Sequence, residues 1–277
     1  DEVVVVPGGK PTIFFSILAC IEEGDEVIYP LPGYPIYESM VNFVGGTPVP
    51  IRLREEKRFS FDVQELRSKI TKRTRMIIVN SPHNPTGGII PKQDLHEVAE
   101  LALKHDLWVL SDEIYSRIVY EGKAESVSQF PGMKERTIIL DGHSKTYAMT
   151  GWRVGYGVMP KTLATHVSRL MTNSNSCTAT FTQHAAMEAI VGPQDYTEAM
   201  VKEFKGNRDL IVNGLNRIDG FFCHMPAGAF YAYPNVTRAC RRLGFKNSKE
   251  LQQYLLYKGG VAVLGQQRNP RLRKLLD

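Results

Sequence analysis

Residues 141–156 read DGHSKTYAMTGWRVGY. One lysine, Lys145, stands among small and hydroxyl-bearing residues just after the apolar run TIIL (137–140), and Arg153 follows it in the same stretch. A short apolar run bounded by turn-forming residues reads as a buried strand. Lys145 is thus expected just past a strand's carboxyl end, where ligands bind in open α/β sheets.

Outward from this stretch, strands alternate with helices. EVVVV (2–6), EVIYP (26–30), TPVPIRL (47–53), RMIIVN (75–80), LWVLSDE (107–113), TIIL and VGYGVM (154–159) read as strands, the third at an edge because of its prolines. Helices are expected over 10–23, 36–44, 62–70 (with Asp62 as N-cap), 92–106, about 161–172, 179–190 and 194–218. Near-continuous apolar strands alternating with helices predict a mostly parallel α/β sheet flanked by helices. Near residue 207 the pattern changes to FFCHM (221–225), AFYAYP (229–234), a helix over 248–259 and VAVL (261–264). That change predicts a large domain over 1–206 and a smaller α+β domain over 207–277.

The chain has 277 residues, 43% hydrophobic and 23% charged, with a net charge of +5. These values are ordinary for a globular protein. Both charge signs are mixed, and only RNPRLRK (268–274) is locally basic, which reads as a solvated end rather than a nucleic-acid patch. Four cysteines without a C-x-x-C pair predict neither a zinc site nor a disulfide scaffold, and a reducing, cytoplasmic location is expected. No apolar run approaches the roughly 20 residues of a membrane span.

Each strand end carries a candidate group. PGGK (7–10) is either a turn or an anion nest at a helix start. In SPHNPTGG (81–88), Asn84 is pinned between His83 and Pro85, so its amide is fixed. Asp112 ends one strand, either as a helix cap or as a charge partner, and Tyr115 follows three residues later. Taken together these groups offer a carboxylate for a protonated ring nitrogen, an amide and a phenol for a ring oxygen, an amine for an aldehyde, and a nest plus arginine for a phosphate. Pyridoxal 5′-phosphate (PLP) demands that set, with its ring-nitrogen acid and Schiff-base lysine.

The segments GGK (8–10), PGYPIY (32–37), NSPHNPTGG (80–88), SDEIY (111–115), SKTYAMTGWRVGY (144–156) and PAGAFYAYP (226–234) occur in one order. By them the chain resembles the fold-type I, PLP-dependent class I/II aminotransferases, in the aspartate, aromatic and alanine aminotransferase branch. The resemblance implies that Lys145 is the Schiff-base lysine and that Asp112 pairs with the pyridine nitrogen. It implies further that Asn84 and Tyr115 meet the ring hydroxyl, that Tyr34 stacks on the ring, and that Gly8, Gly9, Lys10 and Arg153 hold the phosphate. His143 stands where many relatives have serine, so the phosphate contact falls to His143 or to Ser144. No metal is implied. The implied reaction is transamination between an L-amino acid and a 2-oxo acid through pyridoxamine phosphate, in a homodimer with a shared site.

The chain departs from the family pattern at both ends. Relatives carry a further segment before GGK, and after GVAVL an arginine that clamps the substrate α-carboxylate. RLRKLL (271–276) does not match that arginine's context, so Arg268, Arg271 and Arg273 receive no such role. The chain is expected to be a piece of a longer enzyme. Two alternatives share the same anchor residues: a PLP-dependent carbon–sulfur β-lyase, and a non-catalytic PLP-binding relative.

Overall fold

The computed structural model describes residues 1–265. The basic run 268–274, with Arg268, Arg271 and Arg273, lies outside the described residues. The chain divides into two units. The first comprises Asp1–Lys205 with Pro226–Tyr231, and the second comprises Gly206–Met225 with the residues from Ala232 onward. The PAGAFY segment, expected in the smaller domain, thus belongs to the larger unit.

In chain order the first unit contains β1 (Val3–Val6), α1 (Lys10–Cys20), β2 (Glu26–Leu31), α2 (Ile36–Phe43), β3 (Thr47–Arg54), β4 (Ser60–Phe61), α3 (Val63–Lys69), β5 (Thr74–Asn80), α4 (Lys92–His105), β6 (Trp108–Asp112), β7 (Thr137–Gly142), α5 (His143–Thr146), β8 (Gly155–Val158), α6 (Lys161–Asn175) and α7 (Thr180–Val191). The helix α8 (Asp195–Asn216) runs on into the second unit, which also holds α9 (Thr237–Leu243) and α10 (Ser248–Gly259).

The eight strands lie in the order β1-β8-β7-β6-β5-β2-β3-β4. The pairs β3–β2, β2–β5, β5–β6 and β6–β7 are parallel. β8 is antiparallel to both β1 and β7, and the two-residue β4 is antiparallel to β3, so the sheet is mixed. β2 and β5 are buried along nearly their whole lengths, as strands covered on both faces must be. β1, at the sheet's end, alternates exposed and buried valines. One core joins the sheet to α1, α2 and α6 through Val6, Ile17, Val27, Val41, Met76, Leu110 and Val167. α1 approaches β8 closely at Gly157, where a Cβ would lie 2.7 Å from Thr12 Cγ2.

Local signals set several helix ends. Asp62 accepts from the N–H groups of Gln64 and Glu65, as its N-cap position predicts, and Asn247 does the same for Lys249 and Glu250 at α10. The strands expected after residue 207 did not form among the described residues. FFCHM contributes one isolated bridge, Phe222 to Asn235, and AFYAYP and VAVL join no described sheet. An apolar run becomes a strand only when a neighbour accepts its ladder, and beyond the single Phe222–Asn235 bridge no such neighbour is present among the described residues. The helix α9 was not expected from the sequence. No helix among the described residues is long and apolar enough to cross a membrane.

Candidate active site

The topology gathers the strand-end residues. β1, β2, β5, β6 and β7 run in one direction and β8 in the other. Their carboxyl ends and the amino end of β8 therefore share one sheet edge. The register is tight there: Val6 and Gly142 both sit opposite Gly155, and Asp112 sits between Asn80 and Leu140. The turns that follow the strands carry Gly8–Gly9, Tyr34 and Asn84, Asp112 closes β6, Lys145 lies in α5 just after β7, and Arg153 precedes β8.

Asp112 is the buried centre. Its Oδ2 accepts from Tyr37 Oη at 2.6 Å, and its Oδ1 accepts from the Ile114 N–H at 3.3 Å. Asn80 Nδ2 donates to the Asp112 carbonyl at 2.9 Å, and Asn80 Oδ1 accepts the Asn84 N–H at 2.8 Å, so one amide ties the Asn84 loop to β6. The Asn84 side chain is half-buried. Burial raises the Asp112 carboxyl from 3.8 to about 6, against the opposing pull of the Tyr37 and Ile114 hydrogen bonds. Among the described residues no Lys or Arg forms an ion pair with it.

Lys145 lies in α5, a single helical turn begun at the end of β7. The turn is pinned: the His143 N–H donates to Val154 O at 3.3 Å, and Thr197 Oγ1 donates to Thr146 O at 3.3 Å. Lys145 Nζ stands 5.9 Å from the Tyr115 ring centroid and 5.2 Å from that of Phe230. Burial, and then the Arg153 charge, lower its pKa from the ordinary lysine value and favour the neutral amine. Ser144, beside it, is half-buried.

Gly8 has φ +80, and a Cβ built on it would lie 2.0 Å from Arg153 Nη2. Only glycine lets this turn receive the guanidinium so closely. Arg153 itself has φ +50, and its Nη1 donates to Thr150 O at 2.8 Å. Gly8→Ala is therefore expected to displace Arg153 and weaken PLP binding about tenfold or more, read by spectrophotometric titration of the cofactor. Unchanged affinity would refute the pairing of this turn with this arginine.

Tyr34 packs edge-on against Tyr37 with centroids 6.0 Å apart, and Lys10 Nζ lies 6.0 Å from the Tyr34 centroid. His143 has a different setting. Its ring is buried against Tyr147 and Tyr156, its Nε2 lies 3.2 Å from Ala186 O on α7, and burial lowers its pKa. The structure thus brings Asp112, Tyr115, Lys145, Gly8 and Arg153 into one neighbourhood and engages the His143 ring with α7.

Two partners escaped the sequence reading. Tyr37 bonds Asp112, and Tyr231 Oη lies 2.5 Å from Tyr115 Oη. Both stand in segments already singled out, PGYPIY and PAGAFYAYP. Tyr37 had a signal in the sequence, standing three residues after Tyr34, whereas Tyr231 had none beyond membership of its segment.

The set fits PLP. Asp112 is a buried carboxylate in need of a cation, and the Gly8 turn is a cradle that any Cβ would fill. Comparison with known proteins agrees. The family model "Aminotransferase class I and II" matches residues 1–272. The chain is 36% identical over 266 residues to an aspartate aminotransferase of Bacillus sp. (strain YM-2), covering 95% of this chain and 68% of that one. It is 38% identical over 267 residues to an asparagine–oxo-acid transaminase of Streptococcus mutans, covering 95% and 67%. The solved aromatic aminotransferase of Pyrococcus horikoshii superposes with a TM-score of 0.90 at 36% identity, covering 95% of this chain and 70% of that one. The chain spans about two thirds of the length of these relatives. A family match along nearly the whole chain, laid over the site just described, shows that this chain belongs to the class I and II aminotransferases, PLP-dependent enzymes that transfer an amino group between an amino acid and an oxo acid.

Proposed function

We propose that this chain transfers the amino group of an L-amino acid of the aspartate, aromatic or alanine type to a 2-oxo acid, with Lys145 as covalent anchor and proton carrier. The observation that carries the reading is the combination, at one sheet edge, of a buried Asp112 with no ion-pair partner among the described residues and a half-buried amine, Lys145.

Asp112 would hold the protonated ring nitrogen, Asn84 and Tyr115 the ring oxygen, and Tyr34 the ring face. Gly8, Gly9, Lys10, Ser144 and Arg153 would hold the phosphate, with Ser144 preferred over His143 because the His143 ring bonds toward α7. When bound, PLP supplies the electron sink for the substrate α-carbon. Lys145 provides the amine to which the cofactor is attached. Its Nζ, favoured as a neutral amine, would also take the proton from the substrate α-carbon and return it. The negative charge of Asp112 would favour the protonated form of the ring nitrogen. The Arg153 guanidinium would supply hydrogen bonds to the phosphate and so orient it.

The relatives named for aspartate, asparagine–oxo-acid and aromatic substrates support this substrate range. The test is a single half-reaction with an amino-acid panel. The reading expects one amino acid to convert the cofactor to its amine form with release of the matching 2-oxo acid and no ammonia. Release of pyruvate and ammonia would instead establish the β-lyase, and no conversion by any amino acid would establish the non-catalytic relative. We also propose a cytoplasmic homodimer. It rests on family resemblance and on four sparse cysteines that form no disulfide among the described residues. A gel-filtration mass of one chain with turnover intact would exclude the dimer, and recovery outside the soluble cell fraction would exclude the location.

A further inference from the structure

Tyr115 and Tyr231 are 116 residues apart in the chain, yet their hydroxyls lie 2.5 Å apart. The arrangement is built rather than incidental. The segment that delivers Tyr231 is stitched on both sides: the N–H groups of Ala227 and Gly228 both donate to Gly87 O at 3.0 Å, and Ala229 N–H donates to Ile118 O at 2.8 Å. Gly87 and Gly228 leave no room for a Cβ, which would lie 2.4 Å from Pro226 and 2.9 Å from Pro82, respectively. The NPTGG loop, the segment after Asp112 and the PAGAFY segment are thereby locked together. Tyr231 and Phe230 both pack against the Tyr115 ring, with centroids 5.6 and 5.3 Å away.

The hydrogen count gives this contact a function. Each phenol has one proton to donate. Burial chiefly raises both phenols above their ordinary value, so both keep their protons at neutral pH. Two protons and one oxygen–oxygen contact leave one proton for another acceptor. If Tyr115 donated to Tyr231, it would have nothing to offer a ring oxygen.

We propose that Tyr231 is a positioning residue that donates its proton to Tyr115, so that the single proton of Tyr115 is directed to the cofactor's ring oxygen. The inference rests on the reading that Tyr115 meets that oxygen. A donor that itself accepts a hydrogen bond donates more strongly. Tyr231 therefore strengthens Tyr115's grip on the ring oxygen, and that oxygen competes less well for the proton on the nitrogen contributed by Lys145.

The test is the pH midpoint of the bound cofactor's near-visible band in wild type, Tyr115→Phe, Tyr231→Phe and the double variant. Tyr115→Phe is expected to raise the midpoint by about one unit or more, and Tyr231→Phe by about half a unit. Because Tyr231 acts through Tyr115, the double variant should match Tyr115→Phe alone. No shift in Tyr231→Phe, or an equal further shift in the Tyr115→Phe background, would overturn the inference while leaving the reading of Tyr115 intact. No shift in Tyr115→Phe would overturn both. If Tyr231→Phe fails to fold, the wild-type holoenzyme still decides. Two downfield, slowly exchanging tyrosine hydroxyl protons are expected in its proton NMR spectrum, one on the Tyr115–Tyr231 contact and one directed to the ring oxygen; only one would overturn the inference.

Discussion

Lys145→Ala is expected to lower turnover at least about 10⁴-fold, the upper range for losing one acid–base group, with covalent attachment lost as well. The variant should still fold. Lys145 is half-buried in a one-turn helix that other groups hold, through the His143 N–H and the Thr146 carbonyl. Removing a partly desolvated amine leaves no hydrogen bond unmade, so thermal stability should change little. Lys145→Arg sharpens the test. Arginine keeps the positive charge but cannot become neutral in a protein, so it should fail as fully as alanine. If Lys145→Arg retained wild-type turnover, the amine's proton transfer would not be the function of this position.

Asp112→Asn is expected to have two opposite effects. In the holoenzyme it removes the charge that holds the ring nitrogen protonated, and kcat should fall at least about 100-fold, as when one preorganised electrostatic group is lost. In the cofactor-free protein it should remove a pH-dependent destabilisation. The folded-state value of about 6 lies above the ordinary 3.8. Between those pH values the unfolded chain has released a proton that the folded chain retains, so this group's contribution to stability falls as pH rises. Below about 4 both states are protonated and the cost vanishes; above about 6 it is complete, on the order of 3 kcal/mol. Thermal unfolding of cofactor-free protein at pH 4 and pH 7 checks this. The difference in Tm between Asp112→Asn and wild type should move in favour of the variant by several degrees as pH rises. A difference independent of pH would show that Asp112 is not a burdened carboxylate awaiting a cation.

Much of this site was legible because each group follows a strand directly. Asp112 closes LWVLSD, Lys145 follows TIIL, Asn84 follows RMIIVN, and the parallel topology needs only those strands in register to bring them to one edge. The buried runs of β2 and β5 signalled their own burial. What stayed hidden depends on pairing across long separations. Periodicity carries no information on which tyrosine reaches Asp112 from 75 residues away, or which reaches Tyr115 from 116. The antiparallel setting of β8 was equally unreadable, since its apolar run does not encode direction. FFCHM and AFYAYP have strand composition, but among the described residues no neighbour extends a ladder along them beyond the single Phe222–Asn235 bridge. His143 was read from its place beside Lys145, whereas its ring is engaged by α7, a contact that sequence order does not predict.

The central claim is that Lys145 is the attachment point of the cofactor. It is tested most directly by incubating the protein with PLP, reducing with borohydride and mapping the modified lysine by peptide mass spectrometry. The account predicts stoichiometric labelling at Lys145 alone and none in Lys145→Ala. Labelling concentrated at another lysine such as Lys10, or no stable labelling, would contradict it.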